Sequence, residues 1–147
     1  RTISAALDKA ANAGIKVSAT VILGLGGAKL WREHIDGTVD LIIKTPPTYL
    51  STLQLGLEEG VEGRFMERFE RFGDTFQWQS DAGVLIELER LVAGLNPPKP
   101  VIFRSNHASN SLALAGNFPK DKDRLLAQIV AAKSDDSYLR PAWIRGF

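Results

Sequence analysis

An alternation of apolar β-branched runs with amphipathic helical segments restricts this chain to a narrow set of folds. Residues 15–23, "IKVSATVIL", are β-branched and mostly apolar, and read as a buried strand. Residues 49–55, "YLSTLQL", read as a second strand and residues 101–104, "VIFR", as a third. Helical periodicity fills the spaces between them. Ile3, Ala6, Leu7, Ala10 and Ala11 form one stripe, closed by Gly14 as a C-cap. Leu30, Trp31, His34, Ile35, Thr38, Val39, Leu41 and Ile42 form the next, stopped by Pro46 and Pro47. Phe65, Met66, Phe69 and Phe72 suggest a short helix. Ser80 caps a helix over 81–93 that ends at Gly94, and a last helix runs over 120–133.

Strands that alternate with helices imply an α/β fold with a parallel sheet and crossover connections. Three parallel strands in sequential order are expected, near 16–23, 49–55 and 101–104, with helices on one face. The unbroken apolar run at Val21, Ile22 and Leu23 predicts burial on both faces of the first strand. In such folds the chemistry gathers at the carboxyl ends of the strands. Three loops lie there: 24–27, 54–59 and 104–110.

Charge and composition remove several functions. The net charge of +1 over 147 residues gives no field that would select nucleic acid or an anionic membrane. The longest uncharged apolar stretch, 17–28 except for Ser18 and Thr20, contains glycines and is too short to span a bilayer. No signal-peptide pattern opens the sequence, so a cytoplasmic location is expected. Without cysteine the chain offers no thiolate ligand to a metal or an iron–sulfur cluster.

Each candidate residue carries two readings. "GLGG" at 24–27 is either a phosphate or nucleotide cradle or a tight strand-to-helix turn. It departs from the dinucleotide fingerprint, because Lys29 stands where the third glycine belongs. His34, beside Trp31 and Ile35, reads as a structural histidine. Glu58, Glu59 and Glu62 form an exposed acidic loop or supply acid–base groups. His107, flanked by Asn106 and Asn110, either contacts substrate or ties down a long polar loop. Arg104 ends a strand, where a guanidinium can clamp a carboxylate.

Two longer stretches add a resemblance. "AGIKVSATVILGLGG" is similar to the middle of a radical S-adenosylmethionine barrel, where a helix leads into a strand and a glycine turn. "FRSNHASNSLALAGNFPKDKDRLLAQI" resembles one branch of that superfamily more closely, the coproporphyrinogen oxidase-like or Fe–S oxidoreductase proteins. Residues 103–110, "PKDK" at 119–122 and "LRPAWIRG" at 139–146 match that branch; "EEGVEGRF" at 58–65 departs from it.

The resemblance implies a partial (β/α) barrel, with residues 1–147 as the carboxyl-terminal part of a longer domain. It implies S-adenosylmethionine and a [4Fe–4S] cluster as cofactors of the whole protein, with the cluster ligands on a missing amino-terminal half. There the cluster passes one electron to the sulfonium, and the adenosyl fragment takes hydrogen from a small substrate. By matching position Ile22, Leu23, Gly24 and Gly26 would contact the adenosyl group. Gln54, Arg104, Asn106, His107 and Asn110 would face substrate. The resemblance identifies no catalytic residue. Two other readings of the chain stay open: a self-contained nucleotide- or phosphate-binding module using the turn at 24–27, and an inert half-barrel acting in assembly.

Overall fold

β1 (Ser18–Leu23), β2 (Tyr49–Gln54) and β3 (Val101–Ser105) pair in that order and are parallel throughout. The structure is a computed structural model and describes residues 2–58, 60–73 and 75–146. Helix α1 (Ile3–Asn12) precedes β1, α2 (Gly27–Lys44) links β1 to β2, and α3 (Glu62–Phe69) and α4 (Asp81–Gly94) link β2 to β3. A fourth strand, β4 (Leu114–Phe118), runs antiparallel to β3 with Phe103 opposite Gly116, and α5 (Lys122–Ser134) follows it. The architecture is thus a mixed α/β fold on an open four-stranded sheet.

β4 corrects the expectation of a wholly parallel sheet. "LAGNF" carries Gly116 and Asn117, both poor strand formers, so its pattern reads as loop. Packing selects glycine here: a Cβ on Gly116 would lie 3.0 Å from the Asp121 side chain and 3.1 Å from Leu125 on α5.

Capping residues act as their types dictate. Thr2 accepts the Ala5 N–H and Ser80 accepts the Gly83 N–H. Gly14, at φ 71°, ends α1 with the Ile15 N–H on the Ala10 carbonyl.

The period of two along the strands assigns the faces. Val21, Leu23, Leu50, Val101, Phe103, Leu114 and Phe118 are buried. They join Ile35 and Ile42 of α2, Leu88 and Leu91 of α4, and Leu125 and Ile129 of α5 in one core. The alternate residues form the other face. Ser18, Thr20, Tyr49, Arg104, Ala115 and Asn117 are exposed, while Ile22, Ser51, Leu53 and Ile102 are half-buried. Thr20 and Ser51 hydroxyls bond across it at 3.0 Å. Burial of β1 on both faces, expected from its apolar run, is therefore not observed: only Val21 and Leu23 are buried. α1 also has an uncovered side, with no buried residue and Ile3 68% exposed.

Among the described residues no helix is long and apolar enough to cross a membrane.

Two glycines of α2 should respond oppositely to alanine. Gly27 has φ 59°, and a Cβ there would lie 2.6 Å from the Gln77 carbonyl oxygen and 3.1 Å from the Phe76 ring. Gly27→Ala should cost at least about 2 kcal/mol. Gly37 is exposed with nothing within 4 Å of an added Cβ. Gly37→Ala should gain about 0.5–1 kcal/mol from helix propensity. Urea unfolding of both variants reads the two signs.

Candidate functional site

β1 ends against a buried carboxylate. Gly24 takes the left-handed conformation, φ 81°, as the chain leaves the sheet. Its N–H donates to Glu87 Oε2 at 2.8 Å, and its carbonyl accepts the Gly27 N–H at 2.9 Å. The Ala28 N–H, in the first turn of α2, donates to the Gln77 carbonyl at 2.8 Å. Glu87 on α4 is fully buried, and its second oxygen accepts from Gln79 Nε2 at 2.9 Å. Burial raises the Glu87 pKa, and the bonds from Gly24 and Gln79 oppose that rise. Sequence reasoning missed Glu87, although a signal existed. It lies three residues after Val84 and four before Leu91, on the apolar stripe of its helix.

The end of β2 is tied by side chains in place of backbone. The Gln54 N–H donates to Asn110 Oδ1 at 2.7 Å. Asn110 Nδ2 donates to the Thr52 carbonyl at 2.7 Å and to Ser105 Oγ at 3.1 Å. One buried asparagine thus joins the carboxyl ends of β2 and β3. The Gln54 side chain donates to Asp81 Oδ1 at 3.1 Å, where α4 begins, and accepts the Ser111 N–H at 3.4 Å. Asp81 also receives Arg145 in a two-pronged ion pair of 2.8 and 2.7 Å. That guanidinium holds the Asp81 carboxyl below the usual carboxylate range, with Gln54 helping and burial opposing.

Past β3 the chain is held by its own tail. Arg140 donates to the His107 carbonyl at 2.6 Å and to the Asn106 carbonyl at 3.5 Å. Its N–H reaches the Ser111 carbonyl at 2.8 Å. His107 Nδ1 accepts the Ser109 N–H at 3.2 Å and lies 2.8 Å from Ser109 Oγ. In the neutral ring the proton therefore sits on Nε2. Arg104 projects from β3 onto the uncovered face, and one guanidinium nitrogen donates to the Phe103 and Gly116 carbonyls at 2.7 and 3.2 Å.

The expected site residues divide accordingly. Leu23, Gly24 and Gln54 line one small cleft of about 40 Å³ with Trp78, Gln79 and Val84. Asn110 is bonded to Gln54 behind it. Ile22 and Arg104 lie on the uncovered face, on rows one step apart. Asn106 and His107 are exposed and outside the cleft. Gly26 packs against α2, where a Cβ would lie 2.6 Å from the Leu30 carbonyl oxygen. Glu58 and Glu62 are exposed, and Glu62 accepts the Trp78 indole N–H at 3.0 Å; Glu59 lies outside the described residues. Asp81, Arg140 and Arg145 join the site; the two arginines lie in the run 139–146 noted above, which gave them no role, and Asp81 carries no local signal.

Among the described residues no group of three histidine, aspartate or glutamate side chains could hold a metal ion. Comparisons with family models, with curated proteins and with solved structures find no match to this chain.

Glu87 gives a pH test. A carboxylate with a raised folded-state pKa contributes stability that is present below the unfolded value and is lost as pH rises through the folded value. Glu87→Gln lacks that loss, so its melting temperature relative to wild type should improve from pH 5 to pH 8. Glu87→Ala, which strips a partner from Gly24 and from Gln79, should cost about 3 kcal/mol at pH 5 and less at pH 8. A constant Glu87→Gln offset would show that Glu87 does not titrate in this range.

Proposed function

We propose that this chain is the carboxyl-terminal part of a radical S-adenosylmethionine enzyme barrel, and that it supplies the adenine-side wall and part of the substrate wall. The observation that carries this reading is the one-sided sheet. Three sequential parallel strands carry helices on one face only, with a row of polar and half-buried apolar side chains on the other. A partial (β/α) barrel has this form, because its inner face is covered only when further strands close around it.

The residues present fit the two implied groups differently. With no cysteine in the sequence and no three-ligand group among the described residues, this chain does not hold the cluster. An adenosyl group fits better. In a parallel ladder alternate residues direct both backbone groups to the same side. The Val17 and Leu23 carbonyls accept from Tyr49 and Leu55 on the β2 side. Ile22 therefore turns its N–H and C=O to the outer edge of β1, beside the Gly24 turn. Those groups would pair with the edge of the adenine, and Glu87 would keep the turn in place. When bound, S-adenosylmethionine supplies one-electron hydrogen-abstraction chemistry. Arg104, exposed on the uncovered face, would bind an anionic group of the substrate.

The phosphate-cradle alternative has less support. The Gly24, Gly27 and Ala28 N–H groups already have acceptors within the chain, and the acceptor at Gly24 is a carboxylate. A phosphate would compete with both.

Two measurements test the proposal. In the whole protein, reconstituted with its cluster, Arg104→Ala and His107→Ala should lower turnover by on the order of 100-fold while the melting temperature moves only a few degrees. Lost stability with full activity per folded molecule would make the β3–β4 loop structural. Separately, these 147 residues alone should self-associate in sedimentation through the uncovered face, and Leu53→Glu should oppose it. A monomer with cooperative unfolding of ordinary mesophile stability would count against a partial barrel.

A further inference from the structure

The amino ends of the strands, opposite the loops described above, border a cleft of about 420 Å³. Topology gathers lysines there. Lys16 stands two residues before β1, Lys44 ends α2 five residues before β2, and Lys99 stands two residues before β3. The three strands are parallel neighbours, so their entries fall at one end of the sheet, about 10 Å from first to last. All three lysines are exposed and line the cleft. Proline stiffens two of the approaches. Lys99 lies between Pro98 and Pro100, and Pro46 and Pro47 carry the chain from α2 into β2.

Among the described residues none of these lysines makes an ion pair or a side-chain hydrogen bond. The nearby backbone donors are occupied: the Gly14 and Ile15 N–H groups by α1 carbonyls, and the Thr45 N–H by the Leu41 carbonyl. An anion entering the cleft would therefore meet ammonium groups, which hold phosphate as point charges. The other walls narrow the ligand. Asp8 and Asn12 lie one turn apart on the same face of α1, and neither side chain has a partner among the described residues. A carboxylate accepts from hydroxyl groups, and an amide accepts from them or donates to them. Asp8 also repels an anion from α1 and so orients it toward the lysines. Three ammonium groups against one carboxylate leave a surplus of two positive charges among the lining residues. A phosphate monoester carries about −1.5 to −2 at neutral pH and matches that surplus. No aromatic ring lines the cleft, so a nucleotide base would have no stacking partner. The volume lies in the range of small-molecule sites, roughly 300–1,000 Å³.

We propose that this cleft binds a small phosphorylated polyol, with its phosphate among Lys16, Lys44 and Lys99 and its hydroxyl groups on Asp8 and Asn12. The site is independent of the radical-enzyme reading, because it lies at the opposite end of the strands from the Gly24 turn and needs no cluster.

Isothermal titration calorimetry of the protein with glucose 6-phosphate, inorganic phosphate, gluconate and glucose tests it. Glucose 6-phosphate should bind about fivefold more tightly than inorganic phosphate, the equivalent of one hydrogen bond to α1. Gluconate and glucose should bind more weakly than either. Lys16→Ala and Lys99→Ala should each weaken glucose 6-phosphate binding about threefold, and added sodium chloride should weaken it further. Asn12→Ala should reduce the preference over inorganic phosphate and keep phosphate binding. Arg64→Ala, on α3 and outside the cleft, should change nothing. All four positions are exposed, so the variants should melt with the wild type. No binding of glucose 6-phosphate, equal binding of inorganic phosphate or gluconate, or lysine variants that bind as the wild type does would each overturn the proposal. An Arg64→Ala loss as large as the lysine losses would also overturn it, since general charge attraction would then explain the binding.

Discussion

A carboxylate buried at 0% exposure holds the turn on which the carboxyl end of this sheet depends. Glu87 reaches from the middle of α4 to the Gly24 N–H, so the helix that follows β2 fixes the exit from β1. The arrangement is costly in isolation, because a carboxyl group has been taken out of water. Two donors, from Gly24 and Gln79, make it tolerable. Removing either leaves a buried carboxyl oxygen without its partner, which costs about 1–3 kcal/mol. Asn110 does for β2 and β3 what Glu87 does for β1. Asn110 replaces ladder hydrogen bonds between the ends of β2 and β3, while Glu87 takes up an N–H on the outer edge of β1, where the chain turns away from the sheet.

Much of the architecture was readable because its causes are local. The apolar runs, the glycines at 14 and 24, the serine cap at 80 and the prolines at 46 and 47 each act within a few residues. β4 was not readable, since Gly116 is chosen by the approach of α5 and contradicts the strand propensity of its own segment. The exposure of Thr20 and Ser18 was equally hidden. An apolar run reports that a strand has neighbours, but it does not report how many faces they cover.

The polar loop after β3 was legible as unusual, and only in part as a site. Asn110 bonds Gln54 as a bridge between the backbones of neighbouring strands. His107 and Asn106 lie under Arg140, whose partner atoms are backbone carbonyls with no residue-type signature. The partner of Asp81 is 64 positions away. Long-range pairing of this kind leaves no spacing to read. Glu87 was the exception: a charged residue on an apolar stripe is visible, and its burial follows from the period of its helix.

The two arginines of the tail hold by different physics. Arg145 is anchored by opposite charge, on an aspartate whose side chain is 44% exposed. Arg140 is anchored by neutral carbonyls. Dissolved ions screen the first bond and leave the second nearly untouched. Raising the ionic strength should therefore not peel the tail away as a unit. It should turn the segment from 141 to 146 into a flap hinged at Arg140, swinging free of α4 while the loop after β3 stays clamped.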